Sequence, residues 1–211
     1  MLFRSQKILT VDQQKYFNFQ VDDVDMAQAK PKFMDQAMER ASYGLSDVAD
    51  QYVAGLYTGV DANNTIGSDA SPTSISTASA AYDALVDLAV KLDNANVPSM
   101  GRWVVVPPWF HGLMLKDNRF VTYTAGGDAT RANGQIGEAA GFRILKSNNV
   151  PKVIGDGTST FDNEKIIAGY PGAITFAEQI LKMEAYRPEK RFADAVKGLY
   201  VYGANLIRPE G

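Results

Sequence analysis

The acidic run "VDDVD" puts Asp22, Asp23 and Asp25 close together, a set of oxygen donors of the kind that holds magnesium or calcium. It lacks the glycine and distal glutamate of a calcium loop. It also stands just before a helical pattern, where carboxylates are favoured by the helix dipole without any ion, so a solvated turn fits better. Residues 155–163, "GDGTSTFDN", carry the glycines and hydroxyls of a phosphate-binding turn. No Lys-Ser or Lys-Thr pair follows and the next segment reads as a strand, which favours a hairpin loop. "GQIGEAAG", 134–141, imitates a dinucleotide fingerprint, but its spacing is wrong and a strand follows where a helix is required. His111 is the single histidine and stands beside Trp109 and Phe110. An imidazole could act as a general base, yet no serine elbow or partner carboxylate is indicated near it. Trp103, Trp109 and Phe110 read as core. Arg102, Arg119, Arg131 and Arg143 are scattered and form no stripe. This reading assigns no catalytic residue, no cofactor or cofactor-binding residue and no metal ligand.

Composition narrows the classes further. The chain has no cysteine, so disulfides, thiolate catalysis and cysteine-based zinc or iron–sulfur sites are excluded, and one histidine rules out two-histidine metal motifs. A net charge of −3 argues against binding nucleic acid by bulk phosphate neutralisation. With 45% hydrophobic and 21% charged residues, 211 residues are enough for a substantial core in one large or two small domains. No apolar run reaches the ~20 residues of a membrane helix, and no signal peptide is visible, so a soluble protein of a reducing cytoplasm is expected.

The elements that would position these residues are mixed. "YFNFQV" alternates as a strand should. From Lys32 to Tyr57 the apolar residues Met34, Met38, Ala41, Leu45, Val48, Tyr52 and Leu56 recur at steps of three and four. They predict one helix of roughly 38 Å with Pro31 at its start. The Gly-, Asn-, Ser- and Asp-rich residues 58–77 predict a loop and the best domain boundary. A second helix is expected over about 77–93, with Tyr82, Leu85, Ala89 and Leu92 on one face and Thr77 or Ser76 as its cap. Asn94, Asn96, Pro98 and Gly101 end it. Trp103–Val106 then predicts a strand buried on both faces, stopped by Pro107 and Pro108, and "PWFHGLMLKD" a short helix. A strand follows at 142–151. Another opens 165–187, with a turn at Pro171-Gly172 and then a short helix or strand. A last alternating strand holds Leu199 and Val201. The class is α+β.

Four of these segments, in order, carry a resemblance. "KLDNANVPSMGRWVVVPPWFHGLML" resembles the helix–turn–strand segment of tailed-bacteriophage major capsid proteins, and "GFRILKSNNVP" is similar to a later segment of that family. "FNFQVDDVDMAQAKPKFMDQAMERASYGLSDVADQYV" resembles the strand leaving that family's extended loop and entering its spine helix, and "GLYVYGANLIRPE" its final strand. The resemblance implies the Hong Kong 97-type capsid fold, with a long spine helix, a peripheral domain and an axial domain. Its implied division is 1–59 for the extended-loop strand and spine helix, 60–190 for the axial domain with part of the peripheral sheet, and 191–211 for the returning strand. It implies a non-enzymatic shell subunit that meets copies of itself as pentamers and hexamers in the full-length protein. That shell encloses packaged DNA without specific recognition, has no membrane partner, and leaves room for a scaffolding protein. The implied location is the virion, after assembly in the bacterial host cytoplasm. In the family an N-terminal arm and an outgoing strand precede residues like the first ones here, so this stretch alone is expected to stay monomeric or form small oligomers. The competing reading is a small α+β hydrolase or ligand-binding protein with a site near His111 and Asp156, which predicts a concave pocket with convergent polar groups there. An encapsulin-like or tail protein sharing the fold is a third.

Overall fold

The computed structural model describes residues 7–22, 33–117, 136–153 and 163–211. Asp23, Asp25, Arg119, Arg131, Asp156 and most of the glycine-rich stretches 124–141 and 155–163 lie outside the described residues. The chain forms two compact units, one of residues 1–53 and 175–205, the other of 54–174 and 206–211.

In the first unit, β1 (Gln13–Asp22) pairs antiparallel with β9 (Ala193–Leu206), and β9 also borders β8 (Ile174–Tyr186), giving the order β1-β9-β8. The residues left open as short helix or strand at the sequence level are thus a strand of 13 residues, about 43 Å long at the usual rise. Two glycines set how closely the neighbours lie. A Cβ at Gly198 would strike the Phe17 ring, and one at Gly203 would strike the backbone at Thr10 and Val11. The helix α1 (Phe33–Ala54) buries its apolar stripe on this sheet. Leu45, Val48, Ala49 and Tyr52 meet Tyr200 and Tyr202 of β9. Tyr52 stands edge-on to Tyr202 at 5.4 Å between centroids, the arrangement the ring quadrupoles favour. The expected helix ran to Tyr57. The α-helix stops at Ala54, and residues Gly55–Gly59 tighten into a 3₁₀ turn. Glycines at 55 and 59 remove the helix propensity that would have carried it on.

The second unit is built on a sheet ordered β3-β4-β2-β7: β3 (Glu138–Ala139), β4 (Phe142–Lys146), β2 (Trp103–Val106) and β7 (Ile167–Gly169). β2 runs parallel to β4 and antiparallel to β7. A separate pair joins β5 (Lys152–Val153) to β6 (Asn163–Glu164). The helices α2 (Ala78–Asn94) and α3 (Pro108–Leu115) share one core with the sheet. Leu85, Leu92, Val104, Val106, Phe110, Met114, Phe142 and Ile144 are among its buried members. β2 differs from expectation. Val104 and Val106 are fully buried, but Trp103 and Val105 are only half-buried, so one face is sealed and the other partly open. Residues 58–77 belong to this unit and hold, after the end of the Gly55–Gly59 turn, a second 3₁₀ turn at Ala62–Asn64.

Candidate functional site

The best-marked sequence segment, 90–108, turns out to be a self-locked corner. Thr77 caps the start of α2, its hydroxyl accepting the Ala80 N–H at 3.2 Å. At the other end Asn96 takes φ 54°, a left-handed conformation that asparagine tolerates well. The Asn96 N–H then reaches the Asp93 carbonyl and the Val97 N–H the Leu92 carbonyl, both at 3.0 Å. This is the paired closure of a Schellman motif, with Leu92 and Val97 both buried in the core beneath it. Pro98 follows and prevents further helix. Arg102 then folds back. Its Nε donates to the Pro98 carbonyl at 3.0 Å, and its Nη2 donates to the Val97 carbonyl at 2.6 Å and the Asp93 carboxylate at 2.7 Å. Arg102 is buried. Read from the sequence as one of four scattered cations, it is the residue that holds this corner shut. The available signal was its place directly after Met100-Gly101 and nine residues after Asp93.

His111 lies in α3, nearly buried beside the core residues Phe110 and Met114. Burial first, and the neighbouring Lys146 cation second, push its pKa below the ordinary 6.5. Trp109 is half-exposed and donates its indole N–H to the Glu164 carboxylate, while Phe110 is completely buried. Trp103 covers Gly169, where a Cβ would come within 3.2 Å of the ring. Asp22 ends β1 opposite Ala193, exposed. Arg143 sits on an exposed position of β4 opposite Trp103. Among the described residues no group of three or more His, Asp or Glu is placed to hold a metal ion, and no helix is long and apolar enough to cross a membrane.

Each unit carries a concavity, and neither includes His111. In the second unit one of about 660 Å³ is lined by Asp61, Asn63, Ile66, Asp87, Val90, Lys91 and Glu210, among others. Its wall is held by the C-terminal residues. The Asp61 N–H donates to the Pro209 carbonyl at 3.0 Å, and the Ile207 N–H to the Ala173 carbonyl at 2.8 Å. Arg208 lies over the Tyr170 ring at 5.7 Å and pairs with Glu210 at 3.1 Å. In the first unit a shallower one of about 390 Å³ lies over Tyr16, Asn18, Glu184, Lys197 and Leu199. What these features offer is shaped, mixed surface: exposed Tyr16, Tyr43, Met100 and Phe192 stand out on a chain whose histidine is packed away.

The architecture is that of a viral shell subunit with the Hong Kong 97-type fold. A solved structure from Mycobacterium phage Che8 shares 31% identity, covering 96% of this chain and 70% of that one with a TM-score of 0.76. The capsid structure of the cyanophage P-SCSP1u superimposes over 100% of this chain and 76% of its own, at 19% identity and a TM-score of 0.73. The mature capsid of bacteriophage PhiM1 does so over the same shares, at 16% identity and 0.63. Residues 7–211 match the family described as phage capsid protein, and the chain belongs to that family. No curated protein matches the sequence. The chain is a structural subunit of a viral capsid. The hydrolase alternative gains no support from His111, which is buried and lines neither concavity.

Proposed function

We propose that this chain is a repeating, non-enzymatic tile of a tailed-phage shell. It self-associates into five- and six-membered rings and is carried in the virion around packaged DNA that it does not recognise by sequence. The unit built on α1 and the β1-β9-β8 sheet would serve as the peripheral domain with α1 as its spine. The unit built on β3-β4-β2-β7 would serve as the axial domain. The observation that carries the reading is the capsid family match over residues 7–211. A net charge of −3 is compatible with a wall that holds DNA without gripping it. Repeated weak contacts are sufficient for a stable shell, because each further contact made by an already placed tile is effectively intramolecular. Assembly in the host cytoplasm and help from a scaffolding protein belong to the same reading. Expression of the full-length product in a bacterial host, followed by electron microscopy, tests it. Closed shells or their rings are expected. A product that stays monomeric at every concentration and in every lysate fraction would overturn it.

A further inference from the structure

The turn between β8 and β9, residues 187–192, reads Arg-Pro-Glu-Lys-Arg-Phe. Lys190 and Arg191 are exposed, and Phe192, at its end, is 85% exposed. A large aromatic ring left almost wholly in water beside a local cation excess is an unusual feature for a surface with no partner. The concavity of the second unit has the opposite character. Asp61, Asp87 and Glu210 supply three carboxylates against the single cation Lys91, whose ammonium is committed to the Asn63 carbonyl at 2.8 Å. Glu210 is shared with Arg208, so the lining keeps a negative excess of Asp61 and Asp87 over Lys91. The same lining includes two apolar side chains, Ile66 at 39% and Val90 at 49% exposure. The turn thus presents an exposed aromatic ring directly after two cations, and the concavity a lining that mixes carboxylates with apolar side chains.

We propose that the β8–β9 turn of one copy docks in the Asp61–Asp87 concavity of a second copy, with Phe192 on Ile66 and Val90 and with Lys190 and Arg191 against the carboxylates. The two complementary patches lie on different parts of the same chain, so the contact is head-to-tail. Such contacts close into rings when the rotation permits. The inference rests on the shell-tile reading and names the surfaces through which its copies would meet.

Because the chain has no cysteine, the contact can be trapped in the intact protein. The Phe192→Cys and Val90→Cys variants are purified separately, mixed and mildly oxidised, and the disulfide-linked species is counted on a non-reducing gel and mapped by mass spectrometry. The control mixes Phe192→Cys with Tyr43→Cys, an exposed position on α1. Roughly tenfold more product is expected from the first pair than from the control, a preference of about 1.4 kcal/mol. Adding Asp87→Lys to the Val90→Cys partner should lower the yield, and adding Lys190→Glu with Arg191→Glu to the Phe192→Cys partner should restore it. Equal yields from both pairs in a protein that still sediments as oligomers would overturn the docking and leave the tile reading standing. A chain that sediments only as a monomer and gives no product from any pair would overturn the docking, and the tile reading falls with it only if the full-length product also forms no rings or shells.

Discussion

Arg102 ties three acceptors, two of them main-chain carbonyls, with one planar group that presents its donors in a fixed fork. Arg102→Ala leaves the Val97 carbonyl buried without its donor, and a loss of about 2–3 kcal/mol is expected, measured by urea unfolding. Arg102→Lys should recover only part of it, because a single ammonium cannot reach all three. Two titrating groups make opposite predictions about pH. His111 is held below its ordinary pKa by burial and then by Lys146. The unfolded chain therefore binds its proton first. The stability His111 contributes is whole above pH 6.5 and is lost as pH falls from there through the folded value. Tyr200 is pushed up, by burial first and then by its hydroxyl's hydrogen bond to Glu178. Its contribution is whole below pH 10 and is lost as pH rises towards the folded value. Melting temperature followed across pH should fall at both ends. His111→Gln should flatten the acid limb and Tyr200→Phe the alkaline one, and an unchanged profile in either variant would count against that assignment.

At the scale of elements, the end of α2 and the spacing of β1 and β9 are the sensitive points. Asn96 sits at φ 54°, so Asn96→Gly should be neutral or slightly stabilising, while Asn96→Val should cost about 1–2 kcal/mol because a β-branched residue resists that conformation. Thr77→Ala removes the cap of the same helix and should cost about 1 kcal/mol. Gly203→Ala should be the more severe of the two sheet variants. Its Cβ would meet main chain at Thr10 and Val11, whereas the Cβ of Gly198→Ala meets the Phe17 side chain, which can rotate away. Overpacking of this kind typically costs about 1–3 kcal/mol, and hydrogen exchange of the β1 amides should locate it. The stripe predicted on α1 was legible because helical spacing is local, and Leu45, Val48 and Tyr52 are the residues that pack. Ala49, the most buried residue of that helix, was missed, since a stripe counted one residue per step took Val48, three after Leu45, and passed over its neighbour four after Leu45.

For the molecule as a whole, association is where the fold meets its role. If Lys190 and Arg191 face carboxylates of a second copy, raising salt from about 0.1 M to about 1 M should weaken trapping, because the screening length falls from ~10 Å to ~3 Å. Sedimentation at the two salts checks this, and an increase in association with salt would point to a contact carried by apolar surface alone. The class α+β, the order of helix, corner and strand, and the family resemblance were all readable from residue order, because periodicity, caps and prolines act within a few residues of chain. The tertiary structure alone decided which strands are neighbours, with β9 between β1 and β8 and β2 between β4 and β7. It alone turned Arg102 into a clamp, buried His111, and gathered Asp61, Asp87 and Glu210 around one concavity. The reason is physical. A local pattern states which face of an element avoids water, but the partner of that face, and the charge that ends up beside a given side chain, come from residues brought together from distant parts of the chain only when the core closes.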